Sequence, residues 1–215
     1  MIARLVLARH GQTASNVAHR LDSRPPGAPL TERGHAQAAV LAAALGADDV
    51  VAVLSSVAVR AQQTAAPVAA AHGLAVRVVE GLQETDAGVF EDRNDASAHR
   101  QFAQVYGGWH AGQLDEQIPG GDTGRGVLAR FVPVLTAVRE QLGTGTVVVV
   151  SHGAAIRLVG AVLGGVDAGF AVSTALDNTE TVVLQPDGDG WRCLAWGKHT
   201  PPFLAPAHPE VDDGA

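Results

Sequence analysis

The sequence is poor in the features that would place it in several broad classes. Its 215 residues include one cysteine, Cys193, so no internal disulfide framework can form and a reducing compartment suits the chain. No run of like charges occurs. The 15 Lys and Arg are spread thinly against 22 Asp and Glu, a net charge of −7, whereas nucleic acid or an anionic membrane requires clustered cations. The longest apolar stretches fall short of the ~20 residues that span a bilayer, and each is broken by Gly or a charge. The opening stretch MIARLVLARHG has a basic residue inside a short apolar run and no small-residue cleavage site, so it reads as a first strand and not as a secretory leader. These absences predict a soluble, cytoplasmic protein without nucleic-acid or membrane partners. No repeat of solenoid period is visible. His19, His35, His72, His99, His110, His199 and His208 lack the spacing of metal ligands with a carboxylate, so neither a metal site nor a cofactor is expected.

What is present is a 47% apolar chain, enough for one real core. One domain over 1–200 is expected, followed by a Pro-rich, acidic mobile tail at 201–215. Ile2 to Ala8, Val50 to Leu54 and Thr146 to Val150 are unbroken apolar runs rich in β-branched residues, the pattern of strands buried on both faces. Ala75 to Val79 is also β-like. Helical spacing covers Glu32 to Leu45, with Thr31 as N-cap and Gly46 as stop, and Arg60 to Ala71, stopped by Gly73. A third helix runs from Gly124 to Leu142, with Val127, Leu128, Phe131, Leu135, Val138 and Leu142 on one face, Asp122 or Thr123 as cap and a kink at Pro133. Ala154 to Leu163 is a fourth, and Thr181 to Gln185 with Trp191 to Trp196 forms a hairpin over Asp187 to Gly190. The alternation implies a doubly wound, three-layer α/β/α fold with a mostly parallel central sheet. An exposed edge strand of such a sheet allows a homodimer. Residues 91–121, with Phe102, Tyr106 and Trp109, lack clear periodicity and read as an irregular lid or substrate-facing segment.

One short echo carries the chemistry. A buried strand ends in a His-Gly pair twice, as LVLARHG (Leu5 to Gly11) and VVVVSHG (Val147 to Gly153). Ligands of open α/β sheets bind outside the carboxyl ends of the strands, so His10 and His152 should face one crevice. The glycine after each lets the backbone turn sharply and approach a ligand closely. Arg9 and Arg60 converge on the same edge, and guanidiniums match phosphoryl oxygens bidentately. Imidazole is a competent nucleophile for phosphorus when its far nitrogen is held by a backbone acceptor, a role His10 can fill. The remaining need is an acid, and Glu84 follows the β-like run; burial or the charge of the phosphate itself must keep it protonated. His110 beside Trp109 is a candidate reader of the organic half of the substrate.

ARHGQTASN (Ala8 to Asn16), LTERGHAQA (Leu30 to Ala38), SSVAVRAQQTA (Ser55 to Ala65), LQETDAGVFED (Leu82 to Asp92), PGGDT (Pro119 to Thr123) and SHGAAIR (Ser151 to Arg157) together resemble, in order, the histidine phosphatase superfamily, which includes the cofactor-dependent phosphoglycerate mutases. The resemblance implies a phosphoglycerate mutase-like fold and a phosphohistidine on His10. It implies that Arg9, Arg60 and His152 hold the transferring phosphoryl group, that Glu84 donates the proton, and that Asn16 and the Gly153 amide touch phosphate. Two departures bear on substrate identity: Asp92 follows Glu91 where Gly is common, and Gly121-Asp122-Thr123 stands for Gly-Glu-Ser. The paired-Arg insert of the mutases is missing, which favours a phosphatase.

The expected activity is therefore metal-independent hydrolysis of a small phosphorylated metabolite, with inorganic phosphate as product. A phosphoglycerate mutase-type transfer, a protein phosphatase and a non-catalytic phosphate-binding module remain the alternatives. Singly, each residue also has a plainer reading. Arg60 would be a surface residue, Glu84 a helix or loop cap, His152 a buttress of the sheet and Trp109 core packing.

Overall fold

The computed structural model describes residues 4–141 and 144–205. Ile2 of the expected first strand, Leu142 of the expected helix face, and 206–215 of the expected tail lie outside the described residues. In chain order the elements are β1 (Arg4–Arg9), α1 (Ala14–Val17), α2 (Glu32–Ala44), β2 (Val50–Ser55), α3 (Val59–Ala71) and β3 (Val76–Val78). A 3-10 turn (Gly88–Phe90), α4 (Ala96–His110), α5 (Gly124–Gln141), β4 (Thr146–Ser151), α6 (Gly153–Gly164), α7 (Ala168–Ser173), β5 (Thr181–Asp187) and β6 (Gly190–Trp196) follow.

The six strands form one sheet in the order β3-β2-β4-β1-β5-β6. Strands β1 to β4 run parallel, and the β5–β6 hairpin adds an antiparallel edge. The period of two in a strand splits each apolar run between two cores. Leu5, Leu7, Val147 and Val149 pack against α4, α5, α6 and α7 on one face. Val6, Ala8, Val148 and Val150 pack against α2 and α3 on the other. Hence the chain leaving β1 winds to one face and the chain leaving β4 to the other. These strands are neighbours, with Arg9 opposite Ser151. Their carboxyl ends are the switch point, where an open α/β sheet leaves a crevice.

Local signals explain most boundaries. The Thr31 hydroxyl accepts from the Gly34 amide at 3.1 Å, capping α2. Thr123 accepts from Gly126 at 3.0 Å at the start of α5. Gly165 closes α6 in the left-handed conformation, φ +62°. Among the described residues no helix is long and apolar enough to cross a membrane.

Two expectations are corrected. Residues 91–121 are not an irregular segment, because α4 occupies Ala96–His110, capped by Asp95 accepting from Ala98 at 3.1 Å. Ala98, Tyr106 and Trp109 of α4 are buried, and Phe102 and Val105 pack beside them. These positions do follow helical spacing; Gly107 and Gly108 weaken the local signal, and tertiary packing outweighs their poor propensity. Residues 201–205, expected as the start of a mobile tail, hold a packing contact. Phe203 sets its ring 5.4 Å from that of Phe170 on α7.

Candidate active site

The first residue beyond each central strand is the one that matters. His10 follows β1 and His152 follows β4, and the strand register brings their rings edge to face with centroids 5.2 Å apart. His10 is buried. Its Nδ1 lies 2.7 Å from the carbonyl of Gly11, which can only accept, so Nδ1 carries the ring proton. Its Nε2 receives the Nε–H of Arg60 at 3.2 Å, which can only donate. Both partners select one tautomer, with the lone pair of His10 on Nε2. Burial foremost, then the charges of Arg60 and Arg9, hold the His10 pKa well below the usual imidazole range, so the lone pair is free of a proton at neutral pH.

Close approach of two backbones sets this corner. A Cβ on Gly11 would stand 2.6 Å from the Gly34 carbonyl oxygen, and one on Gly34 would stand 2.2 Å from that of Gln12. Glycine at both positions lets the first turn of α2 press against the chain after His10. Arg60, at the start of α3, is buried with its guanidinium anchored by Asp22: Nη2 donates to the Asp22 carbonyl at 2.8 Å, and Nη1 lies 3.4 Å from the carboxylate. Arg9 donates through Nη1 to the Leu176 carbonyl. Burial lowers its pKa, while the charges of Glu84 and Asp177 raise it in part.

Arg9, His10, Asn16 and Glu84 line one cavity of about 160 Å3. Glu84 is both a crevice residue and a helix cap. Its carboxylate accepts from the amides of Thr85 (2.9 Å), Ala155 (2.9 Å) and Ala154 (3.2 Å). The first-turn amides of α6 at 154 and 155 are thus engaged by Glu84 and not held open for an anion, and Gly153 rests against the Arg9 guanidinium. Asn16 has its oxygen tied to the Thr13 amide (3.0 Å) and to Asn178 (3.2 Å), which leaves its nitrogen to serve a ligand.

The seat for that ligand is visible as unmet hydrogen bonding. Arg9 Nε, Thr85 Oγ1 and His152 Nδ1 are buried with no partner among the described residues. Buried polar groups are rarely left so, and those of Arg9 and Thr85, which line the cavity, are open to a polar ligand there. His152 is also kept neutral, by burial first and then by Arg60, His10, Arg130 and Arg9. Among the described residues no three His, Cys, Asp or Glu side chains gather to hold a metal ion.

Trp109 and His110 are not part of this crevice. Trp109 is buried in the core and donates its indole N–H to the Glu116 carbonyl at 2.7 Å. His110 stacks edge-on to Tyr106 at 4.9 Å and borders a separate hollow with Gly107 and Val172. On α4 it is Phe102, two turns before Trp109 on the same face, that reaches the cavity wall. Arg20, Asp22 and Thr85 also line the cavity without having been singled out from the sequence. They sit in aperiodic loops, where only motif neighbours hint at a role.

The two departures from the family pattern form the frame of the site. Glu91 accepts from the amides of Ser23 (2.9 Å) and Arg24 (3.1 Å), holding the loop that carries Asp22, and Asp92 takes the left-handed conformation natural to glycine, φ +64°. Asp122 accepts from the Asp86 amide at 3.0 Å and from Arg130 at 3.0 Å. Arg130 donates in turn to the carbonyls of Gly81, Gln83 and Glu84. That clamp fixes the loop bearing Glu84.

A doubly wound sheet thus carries neutral imidazole, guanidinium and carboxyl groups at its switch point. The chain belongs to the histidine phosphatase superfamily, branch 1, whose model matches residues 5–199. The solved structure of mycobacterial glucosyl-3-phosphoglycerate phosphatase is similar at 30% identity and a TM-score of 0.73, over 91% of this chain and 98% of that one. A putative alpha-ribazole-5'-P phosphatase from Escherichia coli is similar at 25% identity and a TM-score of 0.75, over 93% and 98%. In sequence, the probable phosphoglycerate mutase GpmB of Yersinia pestis is 28% identical over 88% of each chain. PE-PGRS family protein PE_PGRS11 of Mycobacterium tuberculosis is 47% identical over 39% of this chain, which there spans only 15% of the relative's length.

Proposed function

We propose that the protein is a metal-independent phosphomonoesterase acting on a small phosphorylated metabolite through a phosphohistidine at His10. The observation that carries this reading is the His10 tautomer: a buried, neutral imidazole with its Nε2 lone pair directed at Arg60. In the first step Nε2 attacks phosphorus, the bond to the leaving oxygen breaks, and Glu84 supplies that oxygen with its proton. In the second, water attacks the phosphohistidine, gives its proton back to Glu84, and inorganic phosphate departs. Arg9, Arg60, His152 and Asn16 hold the equatorial oxygens, and the positioning of positive charge is the main catalytic term in phosphoryl transfer.

The size of the cavity supports a small substrate. At about 160 Å3 it is below the roughly 300–1,000 Å3 of pockets that enclose drug-sized ligands. With Phe102 of α4 on the wall of so small a cavity, the site favours a metabolite over a phosphoprotein segment. The relatives named as phosphatases support hydrolysis, and the likeness to GpmB supports mutase-type transfer as the second reading.

Incubation with an aryl phosphate, a panel of phosphorylated sugars and glycerates, and 3-phosphoglycerate tests both. The expected result is phosphate release with an acid-labile phosphoenzyme that His10→Ala cannot form. Near-normal turnover by His10→Ala would refute the nucleophile, and conversion to 2-phosphoglycerate without phosphate release would establish the mutase.

A further inference from the structure

His152 is neutral, so it has one ring proton, and the nitrogen that carries it decides whether the ring can donate to an anion at all. The choice is made on the far side of the ring. Ser56, fully buried just beyond β2, places its Oγ 2.7 Å from His152 Nε2. The same oxygen accepts the Ala58 amide at 3.3 Å, and the Ser56 amide donates to the Val150 carbonyl on β4 at 3.0 Å, so the serine is tied to the strand that presents His152. An oxygen already receiving an amide proton has its own hydroxyl proton to place, and Nε2 is the acceptor within reach. Nδ1 then keeps the ring proton. It is also the His152 atom left buried without a partner, together with Arg9 Nε. The opposite tautomer would set Nε2–H against Ser56, strand the hydroxyl proton, and offer an incoming anion a lone pair.

We propose that Ser56 is a positioning residue that donates to His152 Nε2, holds the ring as the Nδ1–H tautomer, and so makes Nδ1–H the donor that His152 offers to a phosphoryl oxygen. This rests on the phosphoryl-transfer reading above. It divides the work of the two histidines by the same device used in opposite directions: Gly11 O leaves the His10 lone pair on Nε2, and Ser56 leaves the His152 proton on Nδ1, which has no partner among the described residues.

The test is nitrogen-15 NMR of histidine-labelled protein, with His152 signals assigned by their loss in His152→Asn, alongside phosphate titration and aryl phosphate turnover. Wild type should show His152 as Nδ1–H. Ser56→Ala should shift it towards Nε2–H, weaken inorganic phosphate binding and lower kcat about 10- to 100-fold, the range for losing a histidine's orienting partner. Ser56→Cys, nearly isosteric and a weak donor, should recover part of each effect. His152→Asn, whose amide nitrogen mimics Nδ1, should retain more activity than His152→Gln, whose amide mimics Nε2. A wild-type Nε2–H signal, or a Ser56→Ala tautomer unchanged from wild type, would overturn the proposal. An Nδ1–H tautomer in an enzyme that releases no phosphate from any ester would instead fault the proposed function.

Discussion

Gly27 lies outside the catalytic set, yet its replacement by alanine should disable the enzyme. It sits at φ +67°, and a Cβ built there would stand 1.9 Å from Arg60 Nη1 and 3.0 Å from Asp22 Oδ1. The guanidinium has little freedom to yield, since Nη2 is bound to the Asp22 carbonyl at 2.8 Å and Nε to His10 at 3.2 Å. Gly27→Ala therefore has two effects. Left-handed backbone at a non-glycine residue costs roughly 1–2 kcal/mol of stability, or about 2 to 8 °C in Tm for a chain of this size. Moving one preorganised charged donor should lower kcat about 10²- to 10³-fold, or ~3–4 kcal/mol of transition-state stabilisation. Gly73→Ala separates the two, because Gly73 has nearly the same angle, φ +65°, with nothing within 4 Å of its hypothetical Cβ. Thermal melts and phosphate-release kinetics of both variants provide the assay. A melting loss in Gly27→Ala larger than that in Gly73→Ala, from the added overlap with Arg60, and kcat lost only in Gly27→Ala are expected; equal kcat in the two variants would refute the displacement of Arg60.

Glu84→Gln should slow alkyl phosphates more than activated aryl esters, since a good leaving group needs little protonation. It should also cost about 1–3 kcal/mol of stability, because its NH2 would face an amide now bound by carboxylate oxygen; equal losses on both ester classes would count against the acid role. Trp109→Phe leaves the Glu116 carbonyl without its 2.7 Å donor, so melting should reveal a loss of about 1–3 kcal/mol while KM stays unchanged. A raised KM at unchanged Tm would return Trp109 to the substrate. Acid should unfold the protein early. Burial depresses the pKa of His10, His152 and His110, the last to about 4, whereas in the unfolded chain each titrates near 6.5. Below that pH the unfolded state binds more protons, so stability is complete above pH ~6.5 and falls by about 1.4 kcal/mol per pH unit for each histidine as pH drops. A Tm that stays flat from pH 7 to 5 would contradict this.

Much of the site was legible in the sequence, because the chemistry is attached to strand ends. A β-branched run must be a buried strand, the residue after it must emerge at the carboxyl edge, and two His-Gly endings therefore predicted that His10 and His152 would meet. Arg60 and Glu84 were legible by their motifs. Helices with a cap residue and a glycine stop, such as α2, were readable to within a residue, since those signals are local.

The residues that were not legible are those whose role depends on contacts across the fold. Trp109 and His110 share an aromatic segment with Phe102, and only the placement of α4 along its axis decides that Phe102 reaches the cavity while Trp109, two turns further on the same face, fills the core. Ser56 and Asp22 gain meaning from partners 96 and 38 residues away, separations at which side-chain pairing leaves no periodic trace. What the sequence alone determined is the order of the strands and of α2, α3, α5 and α6, and the residue types placed at the strand ends, both set by short-range sterics and hydrophobic period. Tertiary structure alone decided the pairing of Ser56 with His152, the anchoring of Arg60 and the capping of α6 by Glu84, because each is a hydrogen bond between segments that meet only when the sheet is wound.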